Sequence, residues 1–151
     1  MEVFRIVQEK YAEDLGTSGK PNRWNIDGQK VIYAGSSRSL STLEMVVHHS
    51  SIKPTVNYKV VIISIADDDH LFRQIHINDL PGNWRSVSAY SKLQAIGSNW
   101  IKAKETLVLK VPSAVIPKEY NYVINKYHPS FKNNVKNVRA EDYFWDKRII
   151  I

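Results

Sequence analysis

The sequence predicts a single α+β domain built on a split or mixed β-sheet core with flanking helices. Short β-branched runs recur along it, most clearly Tyr58 to Ala66 and Glu105 to Val111, and these read as strands. Two other segments repeat apolar residues at i, i+3 and i+7, the spacing of a helix with one buried face. The 151 residues contain no repeat, low-complexity tract or linker, so residues 1–151 are expected to form one unit. A chain of this length buries roughly two thirds of its unfolded surface. A hydrophobic share of 43% and a charged share of 24% are ordinary for a soluble fold.

Taken in order, Val3 to Val7 read as a first strand interrupted by Arg5. An arginine there commonly alternates outward; pointed into a cleft, its permanently charged fork would hold an anion. Tyr11 to Leu15 suggest a helical turn, and glycine and proline make Gly16 to Asn22 a loop. That loop lacks the Gly-Lys-Ser/Thr order of a phosphate loop. Arg23-Trp24-Asn25 leads into a turn at Asp27-Gly28, and Lys30 to Ala34 form a short buried strand. Ser36 or Ser37 then caps a helix reaching about His49, with Leu40, Leu43 and Val47 as its buried stripe. Glu44 lies beside that stripe. It has two readings: the last residue of a Ser41-to-Glu44 capping box, the commoner role, or a carboxylate on an inward face. His48, one turn on, has no partner at zinc-ligand spacing.

Beyond Pro54 and the central strand Tyr58 to Ala66, Asp67-Asp68-Asp69-His70 is an acidic turn without the spacing or glycine of a calcium loop. Leu71 to Ile77 suggest another strand, and Asn78 to Trp84 a loop. Ser88 is placed to cap a helix through about Lys102, with Leu93, Ile96 and Trp100 buried and Gly97 open to close approach by another element. In the strand Glu105 to Val111, residues Leu107, Leu109 and Val111 share a face. Pro112 and Pro117 then stiffen a ledge on which the Ser113 hydroxyl either bonds its own turn or enters a cleft. Asn121 and Asn125 flank Tyr122-Val123-Ile124, and Lys126 to Pro129 form a turn. Residues 135–151 add one or two strands, with Tyr143, Phe144 and Trp145 as an aromatic anchor and Ile149 to Ile151 tucked onto the sheet.

Composition narrows the function classes. Without cysteine there are neither disulfides nor thiolate chemistry, which fits a cytoplasmic protein. No apolar run approaches the roughly 20 residues of a membrane helix, and Met1 to Ile6 do not resemble a signal peptide. The net charge of +6 is spread from Arg5 to Arg148, so it reads as solubility rather than as a nucleic-acid footprint.

The motifs N-R-W-N-I-D-G, V-I-Y-A-G-S-S and L-S-T-L-E occur in that order. Much later come L-K-V-P-S-A-V-I-P and N-Y-V-I-N-K-Y-H-P-S-F. Together with Phe4-Arg5, L-P-G-N-W, Q-A-I-G-S-N-W and the terminal F-W-D-K-R, this nearly chain-wide pattern resembles the RES domain family, named for an arginine, a glutamate and a serine. One departure is Pro21-Asn22 where the family usually has Gly-Gly before Arg-Trp-Asn. The resemblance implies a fold similar to that of ADP-ribosyltransferases and a toxin of a type II toxin–antitoxin pair. The toxin would be neutralised by an Xre-type antitoxin with a helix-turn-helix domain, and a homodimer is in keeping with the family.

The implied activity is breakdown of NAD+ at the nicotinamide–ribose bond. NAD+ would be the substrate, with no resident cofactor or metal. The matching catalytic positions are Arg23, Tyr33, Glu44 and Ser113, with Arg5, Asn25 and Asn125 as further NAD+-binding candidates. Transfer of ADP-ribose to a protein, or phosphorolysis, would use the same cleft. An RNA-cleaving or nucleic-acid-binding toxin is the alternative from another class. It rests on the charge, four tryptophans and eight tyrosines, although these aromatics fall mostly at core-like positions.

Overall fold

A computed structural model describes residues 1–48 and 52–149. The described residues form seven strands, the central ones rich in β-branched residues and largely buried on both faces: β1 (Glu2–Gln8), β2 (Val31–Gly35), β3 (Tyr58–Ile65), β4 (Phe72–Gln74), β5 (Val108–Pro112), β6 (Tyr120–Asn125) and β7 (Val135–Tyr143). They form one mixed sheet in the order β4-β5-β6-β2-β1-β3-β7, with β4 and β5 parallel and the other neighbours antiparallel. The expected α+β class with a split core is what the chain adopts. β1 runs along β3 from Glu2↔Ser64 to Gln8↔Tyr58, yet meets β2 at the single pair Phe4↔Gly35. Past that pair the sheet opens at its centre.

Among the described residues three α-helices complete the fold: α1 (Arg38–Val47), α2 (Tyr90–Ala103) and the short α3 (Phe131–Asn134), which the sequence pattern did not announce. Val3, Ile32, Val61, Ile63 and Ile124 pack in one core. Trp24, Leu93, Trp100, Leu109 and Val123 pack between α2 and the sheet. A third cluster joins Ile6, Tyr58, Val60 and Ile62 to Met45 of α1. Three of the four tryptophans, Trp24, Trp84 and Trp100, are buried, so they offer no stacking platform for bases. Among the described residues no helix is long and apolar enough to cross a membrane.

Several sequence expectations need correction. Ser37 does cap α1, accepting the Leu40 N–H at 3.0 Å. Ser41 therefore lies inside the helix, its hydroxyl directed at the carbonyls of Phe4 (2.8 Å) and Ser37 (2.9 Å), and no capping box exists. This anchor to β1 turns the inward face of α1 onto Leu40 and Ser41, leaving Leu43 and Val47 40% and 56% exposed. The buried stripe proposed for α1 thus holds only at Leu40. Ser88 does not cap α2, because its hydroxyl bonds Ser86 and Asn83 before a 3-10 turn at Val87–Ala89. Leu107 precedes β5 and enters a different core from Leu109 and Val111. Tyr143 and Trp145 do pack edge-to-face, but Phe144 is exposed. His49, Ile150 and Ile151 lie outside the described residues.

The close approach expected at Gly97 is present. A Cβ built there would lie 1.8 Å from the carbonyl oxygen of Trp24, so α2 rests directly on the backbone of the Arg-Trp-Asn turn. Neighbouring side chains reinforce the seat. Gln94 donates to the Asn22 carbonyl (2.9 Å), and Gln29 donates to the Ser98 hydroxyl (2.9 Å). Gly97→Ala is therefore expected to lower stability by about 1–3 kcal/mol through overpacking, read as a reduced urea midpoint with an unchanged slope.

Candidate active site

The Arg-Trp-Asn turn is a closed unit. Asn22 and Asn25 pair through their backbones, and the Asn25 side chain, 1% exposed, donates to the carbonyls of Lys20 (2.9 Å) and Ile26 (3.0 Å). Asn25 Oδ1 accepts the Tyr33 hydroxyl at 2.6 Å, and that hydroxyl accepts the Trp24 N–H at 3.2 Å. Tyr33 is therefore pinned at both ends of its hydrogen-bonding capacity. Burial, the dominant cause, pushes its pKa up, and the Trp24 bond and Arg23 charge only partly oppose it.

Arg23 reaches away from the carboxylates. Its Nη1 and Nη2 donate to the carbonyls of Trp84 (2.7 Å) and Arg85 (3.1 Å), and its guanidinium lies 4.8 Å from the Tyr90 ring centroid. Arg85 in turn donates to the Ala114 carbonyl at 2.8 Å. The planar fork thus organises the loop that supports the Ser113 ledge, a task an ammonium cannot match geometrically.

Glu44 and Ser113 meet. Ser113 is fully buried, and its Oγ donates to Glu44 Oε1 at 2.7 Å while accepting the N–H groups of Val115 and Ile116, each at 3.0 Å. The turn reading for this serine holds; its hydroxyl is buried against the Glu44 carboxylate rather than open to a cleft. Asn121 Nδ2 donates to the same Glu44 oxygen at 2.7 Å. Among the described residues, no protein group bonds Glu44 Oε2.

Sheet geometry relates the two clusters. Tyr33 and Gly35 share a face of β2 and stand roughly 7 Å apart along the strand. The ladder sets Val123 opposite Tyr33 and Asn121 opposite Gly35, so the Glu44 anchor and Tyr33 occupy one side of the sheet. Arg5 lies where β1 and β2 diverge. With Lys20, Asn22, Asn25 and Tyr33, it lines a cavity of about 200 Å³. No described residue hydrogen-bonds or ion-pairs with its guanidinium. Burial lowers its pKa, and the nearby Asp14 charge only partly offsets this.

Asn125 is not part of this arrangement. It is fully buried, donating to the Ile101 carbonyl (3.0 Å) and accepting the Tyr127 N–H (3.0 Å). Asn121, at the other end of the same strand, is the asparagine that reaches the carboxylate. Its position four residues before Asn125 gave no such signal, because both residues merely flank a strand core.

A sequence profile described as the RES domain matches residues 2–146. The chain belongs to the RES domain family. A protein named Toxin Res from Yersinia enterocolitica is 32% identical over 153 residues, covering 99% of each chain. The Prs ADP-ribosylating toxin of Sphingobium sp. is 34% identical over 143 residues, covering 92% of this RES domain chain and 88% of its own. Among solved structures, the Mycobacterium tuberculosis MbcT-MbcA toxin-antitoxin complex contains a chain of similar fold. Its TM-score is 0.67 at 16% identity, over 95% of this RES domain chain and 81% of that one.

Ser113→Ala is expected to cost about 1–3 kcal/mol by stranding two backbone donors, measurable by urea denaturation. Tyr33 supplies a pH test. Its folded pKa is raised, so stability is unaffected below the ordinary tyrosine pKa near 10 and falls as pH rises above it. Tyr33→Phe is expected to flatten that alkaline loss in thermal melts between pH 9 and 11 while lowering stability at pH 7.

Proposed function

We propose that this RES domain is the toxin of a toxin–antitoxin pair and that it cleaves the nicotinamide–ribose bond of NAD+. The observation that carries the reading is a carboxylate anchored through one oxygen, with its other oxygen left free, on the face that holds Tyr33. Bond breakage sends the C1′–N electron pair to the pyridinium nitrogen, which becomes neutral, and leaves positive charge on the ribose. Glu44 is placed to stabilise that charge or to hold the ribose hydroxyls. Water then adds to C1′ and gives up a proton. Arg5 supports the phosphate-bearing part of the substrate, since a guanidinium forks onto phosphate oxygens. Arg23, Tyr33 and Ser113 act by holding the walls in place.

The names of the relatives support the toxin role, and a cytoplasmic site of action follows from NAD+ as substrate. The antitoxin partner, of Xre type, is part of the same proposal. A second reading has ADP-ribose passing to a protein side chain. It is favoured by the relative named as an ADP-ribosylating toxin, and the two outcomes differ only in what reaches the open face of the cation.

Purified chain incubated with NAD+ is expected to release nicotinamide. Glu44→Gln is expected to lower kcat on the order of a hundredfold or more. Arg5→Ala is expected to raise KM about tenfold or more, with a smaller effect on kcat. Absence of nicotinamide release, with and without a cell extract as acceptor source, would overturn the reading. Label transferred to an extract protein with little free ADP-ribose would replace hydrolysis by transfer.

A further inference from the structure

The two donors on Glu44 come from different elements, and hydrogen-bond accounting assigns each a direction. Ser113 Oγ has two acceptor sites, both occupied by the N–H groups of Val115 and Ile116, so its one hydrogen points to Glu44. Asn121 can present either its NH₂ or its carbonyl, but the carbonyl would face Oε1 acceptor to acceptor, so the NH₂ is turned toward it. Oε1 thus receives two donors and carries no proton. Any proton on this carboxyl, and any hydrogen bond to a substrate hydroxyl, is confined to Oε2.

Gly35 stands between Asn121 of β6 and the start of α1. The ladder places Gly35 opposite Asn121, and a glycine offers no side chain to obstruct the crossing. α1 also comes so close that a Cβ at residue 35 would lie 2.5 Å from Ser41 Oγ. With one donor, the carboxylate could turn about its last side-chain bond and exchange its oxygens. Donors from the β5 exit and from β6 converge on one oxygen and so hold the plane of the carboxylate more firmly than either alone.

We propose that Asn121 is a positioning residue that, with Ser113, saturates Glu44 Oε1 and reserves Oε2 for the substrate; this rests on the NAD+ reading. The test uses the full chain with Asn121→Ala and the isosteric Asn121→Asp. The expected result is a kcat for nicotinamide release lowered about tenfold or more, with KM within about twofold of wild type. Unchanged kcat in both folded variants, or a KM that rises as kcat falls, would overturn it, the latter making Asn121 a direct substrate contact. A substrate-free readout separates this from failure of the NAD+ reading. The side-chain amide resonances of Asn121 are expected to move on Glu44→Gln, and resonances that stay in place would overturn the contact even in a chain that does not act on NAD+.

Discussion

The hydroxyl of Ser113 is the atom on which the arrangement turns. It closes the ledge after β5 by accepting two backbone N–H groups, and the same atom holds Glu44 of α1. A buried hydroxyl with all its bonding capacity satisfied is a rigid fixture. The carboxylate therefore stands where β5, β6 and α1 converge rather than moving with one helix. α1 is itself tied to β1 at the one point where the two halves of the sheet still pair, through Ser41 and the Phe4 carbonyl. The helix that carries the carboxylate is thus anchored beside the opening of the sheet.

The second wall is held by a different means. α2 sits on the Trp24 carbonyl because Gly97 has no side chain, and Gln94 and Ser98 bond the residues on either side of the turn. Arg23 extends this wall to the loop at Trp84 and Arg85, and Arg85 carries it on to Ala114, next to Ser113. The arginine of the Arg-Trp-Asn motif thus bonds the carbonyls of this loop and stacks near Tyr90, with no hydrogen bond to Glu44. Arg5 lies near the sheet opening, its guanidinium without a hydrogen bond or ion pair among the described residues.

The strand and helix identities were readable because periodicity and β-branching act locally. The β3 run, the α2 stripe and Gly97 all appear in the structure much as the pattern suggests. Some failures were local, as where Ser88 bonds Ser86 and Asn83 instead of capping α2, but others depended on contacts distant in sequence. Leu43 and Val47 keep helical spacing, yet Ser41 anchors α1 in an orientation that exposes both. At the site, Glu44 and Ser113 came from family resemblance, since 69 residues separate them and no local pattern links them. Asn121 and Asn125 look alike in sequence. Only the ladder with β2 shows that Asn121 stands beside Gly35 and can cross to α1, whereas Asn125 turns to the backbone of Ile101.

The most direct measurement of the central claim is a crystal structure of the Glu44→Gln protein with intact NAD+ bound. The account predicts the nicotinamide-bearing ribose on the Tyr33 face of the sheet, with residue 44 turning its unanchored end toward C1′ or the ribose hydroxyls and the pyrophosphate near Arg5. A dinucleotide bound elsewhere, or one whose ribose lies away from residue 44 while Ser113 and Asn121 keep their places, would contradict it.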